Sequence, residues 1–585
     1  MVLSGISEEI AIVENDNQAV CYMTPLHQED NLIVHRFSLQ SNEEFIPKPI
    51  TLAWKFQARN VQGVWKPTAD FSKRIEADWE LQNHESRISI DAPVMALFGS
   101  DDANRLCFSC SNAINRIELS AKYREEDDHF YCKVVLFTEC RYPLKEFTMD
   151  IRLDYRNIHF AQSLREVSAW WASYESLKPT YVPDIATRPL YSTWYQFHQD
   201  LEEKKLLQEC SMAKKMGFEA IIIDDGWQTE DNSRGYDHTG DWNPEHFEDF
   251  ASLIKDIQKL GMKVGLWYSV PFCGVKSKAY QRFKGKFLTE NHRWAPVFDP
   301  RYPEVRQYLV QTYVQAVKNY RLDGLKLDFI DDFKSYPETS FDWEGKDTLS
   351  INGAVDRLLS EITSELKKLN PEIFIEFRQK YTGPAIRKYG NMLRAFDCPG
   401  DYIMNRVRIA DIKMIAGDTA VHSDMVTWHK EEDVEIAALH YLNTLFGVPQ
   451  ISVMLSEIPA SHLRMISFFT RYWSENKDIL LSEAFYPKSP SENYPVLYAQ
   501  KGGRKIIGLY SDHFISVQGN EKSVDIINSR CSPNVVVLAE NPAEFKGVVF
   551  NCCGEIVQEF NGALKEGCNL LTLPNSGILK MKMCG

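Results

Sequence analysis

The sequence predicts a multidomain protein of mixed class, in which a central α/β barrel is flanked by two all-β regions. Strand and helix patterns alternate through the middle of the chain, whereas period-two alternation of apolar and polar residues dominates both ends. We therefore expect an N-terminal β-sandwich over residues 1–175, a (β/α)8 TIM barrel over 176–478 and a C-terminal antiparallel β-sandwich over 479–585.

The bulk composition is typical of globular domains and argues against several functions. With 585 residues, 44% hydrophobic and 25% charged, the chain is too long for one compact core. A net charge of -15 without any basic block argues against nucleic-acid binding. No apolar window approaches the length of about 18 residues that a membrane helix needs, so we expect no membrane association. The N-terminus has no signal-peptide pattern and the 13 cysteines are scattered, so we expect reduced thiols in the cytoplasm.

The N-terminal region consists of short strand patterns separated by turn-forming residues. Alternating runs include NLIVHRFSL, ITLAWKFQA, RIELSAKY, YCKVVLFTE and FTMDIRLDYR. The acidic run REEDDH at residues 124–129 fits the solvated tip of a hairpin better than a metal site. These patterns predict two packed antiparallel sheets.

Eight strand patterns occupy the middle of the chain, and amphipathic helical patterns lie between most of them. The strands are LYSTWYQF (190–197), EAIIIDD (219–225), KVGLWYS (263–269), GLKLDFI (324–330), IFIEFR (373–378), MLRAFD (392–397), TAVHSD (419–424) and PQISVML (449–455). Eight strand–helix units close into a barrel.

After about residue 480 the strand rhythm returns and continues to the end of the chain. The runs are YPVLYAQ, KIIGLYS, FISVQG, SVDIIN, NVVVLAE, GVVFNC, NLLTLP and GILKMKM. They predict the second all-β domain.

Charged side chains stand at the ends of several predicted barrel strands. Asp224 and Asp225 end the second strand, Lys326 and Asp328 the fourth, Glu376 and Arg378 the fifth, and Arg394 and Asp397 the sixth. Active sites of such barrels lie at the C-terminal ends of the strands, so these side chains are expected to meet. Each motif alone also has a structural explanation: a helix-capping turn, an internal ion pair or a Pro-Gly turn. Their joint occurrence in barrel order favours a functional cleft.

Alternation along the fourth strand decides which side chains face that cleft. Lys326 and Asp328 share one face, and the leucines and Phe329 share the other. A charged face inside a barrel is costly unless the charges are paired or meet a polar ligand. We therefore expect Asp328 to line the barrel mouth.

Two carboxylates facing each other across a pocket suit glycoside hydrolysis. Lys326 favours the ionised form of Asp328, as a nucleophile requires. The apolar run before Asp397 is expected to raise its pKa, as a general acid requires, although Arg394 opposes this. A sugar-binding wall is predicted from four further residues, whose carboxylates accept from hydroxyls and whose indoles cover an apolar ring face. They are Asp224, Asp225, Trp227 and Trp267.

The motifs IIIDDGWQ, GDWNP, GLWYSVP, GLKLDF and RAFDCPGD resemble the α-galactosidase family of glycoside hydrolase family 36 type, which includes microbial melibiases and plant raffinose synthases. The order of the three predicted domains is similar as well. The resemblance implies that Asp328 is the nucleophile and Asp397 the acid/base. It also implies that Asp224 and Asp225 hold the galactose 4- and 6-hydroxyls and that Lys326 contacts sugar hydroxyls. The implied reaction is the retaining release of terminal α-linked galactose from raffinose- or melibiose-type oligosaccharides, without metal or cofactor. Many relatives assemble through their outer domains, which makes a homo-oligomer compatible with the resemblance, and the sequence leaves the oligomeric state open.

The sequence also departs from that family at three strand ends. It has WYSVP where the family often has W-x-E-P, and EFRQKYTG in place of a Cys and glycine run. Arg378, with Gln379, is the candidate to fill the second role. The acid spacing after the sixth strand leaves Asp401 as an alternative to Asp397. These departures leave open another α-glycosidase, such as an α-N-acetylgalactosaminidase, or a transglycosylase on the same scaffold.

Two other functions remain compatible with these residues. A metal-dependent barrel lyase or isomerase could recruit Asp328, Asp331, Asp332 and Glu376 as ligands. Lys326 beside Asp328 argues against a dication there. A catalytically inactive sugar-binding protein is disfavoured because both proposed catalytic acids are present.

Overall fold

The N-terminal region is a sandwich of two sheets. The structure, a computed structural model, describes residues 9–245 and 247–584. The strands of this region are β1 (Ala11–Asn15), β2 (Val20–Glu29), β3 (Leu32–Phe45), β4 (Ile50–Gln57), β5 (Gly63–Trp65), β6 (Glu76–Ala77), β7 (His84–Ser86), β8 (Val94–Phe98), β9 (Asn104–Cys110), β10 (Ile117–Arg124), β11 (His129–Leu136) and β12 (Leu144–Asp154). One sheet has the order β1-β4-β11-β10-β6 with β7 beside β10, and the other has the order β2-β3-β12-β9-β8-β5. Apolar side chains from both sheets form the core between them. The acidic run REEDDH closes the β10–β11 hairpin, as predicted.

The centre of the molecule is the predicted eight-stranded parallel barrel. Its strands are β13 (Leu190–Ser192), β14 (Ala220–Ile223), β15 (Lys263–Ser269), β18 (Gly324–Asp328), β19 (Phe374–Arg378), β20 (Met392–Arg394), β21 (Ala420–His422) and β22 (Gln450–Ile451). They pair in the order β21-β20-β19-β18-β15-β14-β13-β22. Single parallel bridges, such as that from His422 to Val448, bring the two ends of the sheet together. A small two-stranded sheet, β16 (Phe287–Thr289) and β17 (Val297–Phe298), lies in the loop after β15.

Several barrel strands are shorter than their sequence patterns. The strand β14 ends at Ile223 and β20 ends at Arg394, so the acids that follow them lie in loops. The first strand ends at Ser192, and the rest of its pattern forms a short helix. Because these acids lie in loops, their side chains need not alternate between the two faces of a strand, and adjacent acids can take different positions.

Helices surround the barrel and connect its strands. They are α1 (Phe160–Ala172), α2 (Trp194–Phe197), α3 (Glu203–Lys215), α4 (Phe250–Lys259), α5 (Lys278–Arg282), α6 (Pro303–Tyr320), α7 (Ile351–Leu369), α8 (Tyr402–Ile415), α9 (Val434–Leu442) and α10 (Ala460–Leu480). Local signals set their starts: Pro303 opens α6, and the Ser350 hydroxyl accepts from the third residue of α7. Within the described ranges, no helix has the length and apolar character needed to cross a bilayer.

The C-terminal region contains a seven-stranded and a three-stranded sheet. Its strands are β23 (Phe485–Lys488), β24 (Val496–Lys501), β25 (Arg504–Leu509), β26 (Phe514–Val517), β27 (Ser523–Asn528), β28 (Asn534–Ala539), β29 (Ala543–Phe550), β30 (Ile556–Leu564), β31 (Gly567–Thr572) and β32 (Ile578–Cys584). Pairing is mostly antiparallel, and the pairs β25–β27 and β26–β28 are parallel. This domain has its own apolar core.

A buried polar junction joins all three regions at helix α8. Asp411 of α8 forms an ion pair with Lys73 of the N-terminal region at 2.7 Å, and both side chains are almost completely buried. The same carboxylate accepts from Trp65 Nε1 at 2.8 Å and from Tyr494 Oη of the C-terminal region at 2.5 Å. The helix after the sixth barrel strand is therefore fixed by both flanking regions.

Candidate active site

Asp328, the last residue of β18, lies among hydrogen-bond donors at the mouth of the barrel. Its Oδ1 accepts from Arg378 Nε at 2.6 Å and from Tyr381 Oη at 2.8 Å. Its Oδ2 accepts from Trp267 Nε1 at 3.0 Å, and Lys326 Nζ lies 4.0 Å from it. Side chains from three neighbouring strands and the loop after β19 therefore fix this carboxylate.

The backbone after Asp328 adds one more donor. Phe329 has the left-handed conformation, with φ of 64° and ψ of 20°. This conformation costs a non-glycine residue about 1–2 kcal/mol. In this conformation the Phe329 N–H donates to Asp328 Oδ1, with 2.7 Å between the two heavy atoms. The same nitrogen lies 3.0 Å from Tyr381 Oη. The strained turn thus contributes to the same donor set.

The charges around Asp328 keep it ionised. Burial raises its pKa, but Arg378 and Lys326 lower it more strongly, so the pKa of Asp328 lies well below its usual range. The effect has the direction predicted from Lys326, and the structure adds Arg378 as the larger contributor. An ionised, firmly held carboxylate is the form that a nucleophile requires.

Asp224 and Asp225 take different positions although they are adjacent in sequence. Asp224 Oδ2 accepts from Lys326 Nζ at 2.7 Å, which brings it into the charged site. Asp225 instead accepts from Gln199 Nε2 at 2.9 Å and from Gln228 Nε2 at 2.6 Å. Burial raises the pKa of Asp225 to about 7. Asp225 therefore already has protein partners on both oxygens.

The two predicted tryptophans also differ. The Trp227 ring is stacked with Phe250 at 5.6 Å and with Trp242 at 5.9 Å between ring centroids. Its Nε1 donates to the Trp267 carbonyl at 2.9 Å. The expectation that Trp227 stacks on a sugar is corrected by this packing, because protein rings already cover it. Trp267 reaches the site through its indole N–H and supports Asp328.

The sequence did not single out Tyr236 as part of the site. Its ring stacks on Trp267, with 6.1 Å between centroids and an angle of 28°. Burial, together with the charges of Asp225, Asp328 and Asp224, raises the pKa of Tyr236 far above its usual range. It lies in the long loop after β14, where no periodic pattern identifies inward-facing residues.

Asp397 lies three residues after the end of β20, and its side chain is 39% exposed. Its Oδ1 accepts from Arg394 Nη2 at 2.7 Å. Burial raises the pKa of Asp397, but Arg394, Arg378 and Lys326 lower it more strongly, so the net shift is downward. The prediction of a raised pKa from the preceding apolar run is therefore wrong, because the three cations outweigh desolvation.

Arg394 is completely buried and lies among three carboxylates. Besides Asp397, it contacts Asp424 through Nη1, and its Nε lies 3.4 Å from Glu376 Oε1. The expectation that Arg394 contacts substrate is corrected accordingly: its three nitrogen atoms face protein carboxylates. It connects the acid at the surface with the interior of the barrel.

Asp424 and Tyr195 complete this second cluster. Tyr195 Oη donates to Asp424 Oδ2 at 2.8 Å, and the Cys398 N–H donates to the same oxygen at 2.7 Å. Burial and the nearby charge of Asp397 raise the pKa of Asp424 to about 6, against the effect of Arg394. The position of Asp424 at the end of the seventh strand is visible in the sequence, whereas its partners come from distant loops.

Asp401, the alternative acid, has a structural role in this geometry. It is exposed, and its side chain accepts from the Met404 N–H as the N-cap of α8. An N-cap carboxylate satisfies one of the free N–H groups in the first helical turn. The structure brings Asp397, not Asp401, into contact with Arg394.

The acids considered as metal ligands lie beside cations. Asp331 Oδ1 is 3.9 Å from Arg378 Nη2, and Asp332 accepts from Lys334 Nζ at 3.1 Å. Across residues 9–245 and 247–584 there is no group of three or more His, Cys, Asp or Glu side chains with a geometry that would hold a metal ion.

Comparison with known proteins finds similarity to one family over the first part of the barrel. Residues 165–378 match the family model described as Melibiase, a segment that contains Asp224, Asp328 and Arg378 and ends before Asp397. The chain is similar to the melibiases. Among curated melibiase relatives, Alpha-galactosidase 1 of Pediococcus pentosaceus is 29% identical over 145 residues, which cover 24% of this chain and 18% of that protein. Alpha-galactosidase Mel36A of Lactobacillus acidophilus is 25% identical over 204 residues, which cover 32% of this chain and 26% of that protein.

Solved melibiase-like structures share the fold over a longer range. The GH36 alpha-galactosidase AgaA from Geobacillus stearothermophilus superimposes with a TM-score of 0.65 at 14% sequence identity, covering 95% of this chain and 80% of that one. The alpha-galactosidase from Lactobacillus brevis gives a TM-score of 0.63 at 14% identity, covering 95% and 78%. The predicted fold class, a barrel between two β-domains, is thereby confirmed.

Proposed function

We propose that this protein is a retaining, exo-acting α-galactosidase that releases terminal galactose from raffinose- or melibiose-type oligosaccharides. The observation that carries the proposal is the ionised Asp328 at the barrel mouth, fixed by Arg378, Tyr381 and Trp267. This donor set suits a carboxylate nucleophile. The melibiase match over residues 165–378 supports the substrate class.

In the first step, Asp328 attacks the anomeric carbon while Asp397 donates its proton to the glycosidic oxygen. The bond to the leaving group breaks, and a galactosyl ester of Asp328 forms with inverted configuration. Arg378 and Tyr381 hold the carboxylate that attacks and later leaves. The partial exposure of Asp397 suits a group that meets a departing alcohol at the surface.

In the second step, Asp397 acts as base and takes a proton from the water that attacks the ester carbon. Asp328 leaves as a carboxylate, and galactose is released with its original configuration. The proton returns Asp397 to its acid form, so that the cycle closes without a metal or cofactor.

Substrate binding is assigned to polar groups beside the nucleophile. Lys326 and Asp224 form a buried pair with 2.7 Å between Nζ and Oδ2, which offers a donor and acceptors to sugar hydroxyls. Structures of AgaA variants in complex with stachyose and with raffinose are known, and this chain shares their fold. Those complexes support oligosaccharides with terminal galactose as the substrates to test first.

Azide rescue tests the two catalytic assignments with one reagent. Each variant, Asp328→Gly and Asp397→Gly, is incubated with 4-nitrophenyl α-galactoside and sodium azide. In Asp328→Gly, azide replaces the nucleophile and should give the β-galactosyl azide. In Asp397→Gly, azide should attack the galactosyl ester and give the α-galactosyl azide. NMR spectroscopy of the products distinguishes the two anomers.

The matched comparison is Asp401→Gly under the same conditions. We expect it to hydrolyse the substrate without azide, because Asp401 caps α8. An α-galactosyl azide from Asp401→Gly, but not from Asp397→Gly, would move the acid/base role to Asp401. A wild-type enzyme that turns over α-N-acetylgalactosaminides but not α-galactosides would overturn the substrate assignment and leave the chemistry intact.

Three further expectations belong to the same proposal. All 13 cysteines are free, which supports a cytoplasmic location. The expectation of a homo-oligomer rests only on the resemblance to melibiases. The domain division at residues 175 and 478 is best moved slightly at its second boundary, because α10 continues to Leu480.

A further inference from the structure

The geometry points to Asp424, after the end of β21, as a positioning residue that controls the proton on Asp397. The inference rests on the proposed function, in which Asp397 is the acid/base. Asp424 itself is completely buried, whereas the Asp397 side chain is 39% exposed. Only Asp397 can meet a substrate, so Asp424 acts through the groups between them.

The first connection is the guanidinium of Arg394. Its Nη2 donates to Asp397 Oδ1 at 2.7 Å, and its Nη1 contacts Asp424 Oδ1. The third nitrogen, Nε, is 3.4 Å from Glu376. One positive charge therefore serves three carboxylates, and the share available to Asp397 depends on the charge of Asp424.

The second connection runs through the backbone. The N–H of Cys398, the residue directly after Asp397, donates to Asp424 Oδ2 at 2.7 Å. Asp424 is itself fixed to α8, because its N–H donates to Asn405 Oδ1 at 3.0 Å and its carbonyl accepts from Asn405 Nδ2 at 2.9 Å. The loop that carries Asp397 is therefore hydrogen-bonded to Asp424, the carboxylate that also contacts Arg394.

The surroundings of Asp424 favour control by charge. Two of the groups that face it are Arg394 from β20 and Tyr195 from α2. Asp397 and Cys398 face it from the loop between β20 and α8, here called the acid loop. Glu376 of β19 lies on the other side of the Arg394 guanidinium. An ionised Asp424 repels a second negative charge and withdraws part of the Arg394 charge. Both effects raise the pKa of Asp397 towards the range in which a general acid works. Burial raises the pKa of Asp424 to about 6, so Asp424 exerts this effect above that pH and loses it as the pH falls.

A measurement without substrate tests this connection directly. Carbodiimides couple amines to protonated carboxyl groups, and the partly exposed Asp397 is accessible to them. The rate of coupling at Asp397, followed by peptide mass spectrometry, reports the fraction of Asp397 that is protonated. At pH 7, where Asp424 is ionised, we expect Asp424→Asn to lower this rate about tenfold, because the competing charge is lost. At pH 4.5, where Asp424 of the wild type is protonated, the rates of wild type and variant should agree.

Two further variants make the measurement specific. Asp418→Asn removes the same charge from an exposed side chain just before β21, at the opposite end of the strand, and should leave the coupling rate unchanged. Tyr195→Phe removes a hydrogen bond that favours the ionised form of Asp424, so it should lower the coupling rate at pH 7 by less than Asp424→Asn does. The tyrosine variant also keeps the test decisive if Asp424→Asn does not fold.

The second measurement is enzyme activity. It compares a substrate whose leaving group needs a proton from Asp397 with one whose leaving group does not. At pH 7, Asp424→Asn should lower kcat/KM for raffinose about tenfold, because each pKa unit changes the protonated fraction tenfold. The loss for 2,4-dinitrophenyl α-galactoside, whose leaving group needs no proton, should be less than about twofold. If Asp424 had a purely structural role, Asp424→Asn would lower kcat/KM for both substrates by the same factor.

The outcomes separate this inference from the proposed function. An unchanged coupling rate of Asp397 at pH 7 in Asp424→Asn and Tyr195→Phe overturns the role of Asp424, whatever the activity. A lowered coupling rate in Asp424→Asn, together with a wild-type protein that cleaves no α-galactoside, supports the connection between the carboxylates and rejects the substrate instead.

Discussion

At the scale of residues, the two carboxylates differ in their surroundings, although nearby cations lower the pKa of both. Asp328 is buried among donors that stabilise its charge, whereas Asp397 is half-exposed and shares Arg394 with two other acids. Pairs of acids in contrasting surroundings are typical of enzymes that need a nucleophile and a proton donor at the same pH. Arg378 of β19 contacts Asp328, whereas Asp424, which follows β21, accepts from the backbone next to Asp397.

Tyr381 offers the simplest test of the Asp328 environment. Tyr381→Phe removes the hydroxyl that donates to Asp328 Oδ1 at 2.8 Å. A hydrogen bond to a charged group contributes about 1.5–3 kcal/mol, so we expect kcat/KM to fall about 10- to 100-fold. The control is Tyr389→Phe, whose hydroxyl donates to Asp356 outside the site. Equal activity of wild type and Tyr381→Phe would contradict the assigned role.

Strand periodicity predicted some site residues and missed others for a physical reason. Lys326 and Asp328 follow from alternation along a strand, and the structure keeps them on one face beside Asp224. Tyr381 and Tyr236 lie in loops, where contacts depend on tertiary packing and no period marks them. The direction of the Asp397 pKa shift could not be predicted from the neighbouring sequence either, because two of the cations that lower it, Arg378 and Lys326, come from other strands.

At the scale of elements, helix α8 and the loop before it determine the position of the acid. Arg408 of α8 donates to the carbonyls of Phe396 and Asp397 at 3.1 and 3.2 Å. Asp70 of the N-terminal region in turn accepts from Arg408 Nε at 2.9 Å. The acid loop is therefore held from one side by α8 and, through it, by the neighbouring domain.

Asp401 provides a prediction for this helix. Asp401→Ala removes the N-cap hydrogen bond and should lower the free energy of unfolding by about 1 kcal/mol. Asp401→Asn, which can still accept that bond, should retain most of the stability. Chemical unfolding followed by circular dichroism measures both variants. A loss of activity in both at unchanged stability would indicate a role in the reaction instead.

The strands themselves were predictable, but their ends were not. The pattern KVGLWYS is a strand over its whole predicted length, because all its residues except Lys263 are buried and the strand pairs on both sides. The pattern MLRAFD forms a strand only over Met392–Arg394. Asp397 lies beyond the last paired residue of this strand, where its carboxylate accepts from Arg394. The proposed acid/base is therefore a loop residue and not a strand residue.

At the scale of the whole molecule, the junction at Asp411 should dominate the coupling between regions. Lys73→Met leaves a buried carboxylate without its cation, and breaking such a pair costs about 3–5 kcal/mol. Lys259→Met, which removes an exposed pair with Asp256, should change the stability by less than about 1 kcal/mol. Thermal unfolding of both variants gives the comparison. Equal melting temperatures would show that the buried pair has no such weight.

Asp91 makes stability depend on pH. Burial raises its pKa to about 7, while Thr68 donates to it at 2.6 Å. A carboxyl group with a raised folded-state pKa binds more protons when folded, so its contribution is complete below about pH 4 and is lost as the pH rises to about 7.

We therefore expect Asp91→Asn to abolish part of the loss of stability between pH 5 and 7. The affected contribution amounts to at most about 1.4 kcal/mol per pH unit. Urea unfolding at several pH values measures it, with the exposed Asp418→Asn as control. Parallel pH curves for wild type and Asp91→Asn would refute the assignment.

The three-way contact at Asp411 also constrains the history of the chain. A barrel transferred alone into a new gene would carry a bare carboxylate that had lost Lys73, Trp65 and Tyr494 together. Exchange of modules between relatives must therefore bring matching partners from both ends, or replace the aspartate in the same event. We expect these four positions to change in concert across descendants of this architecture.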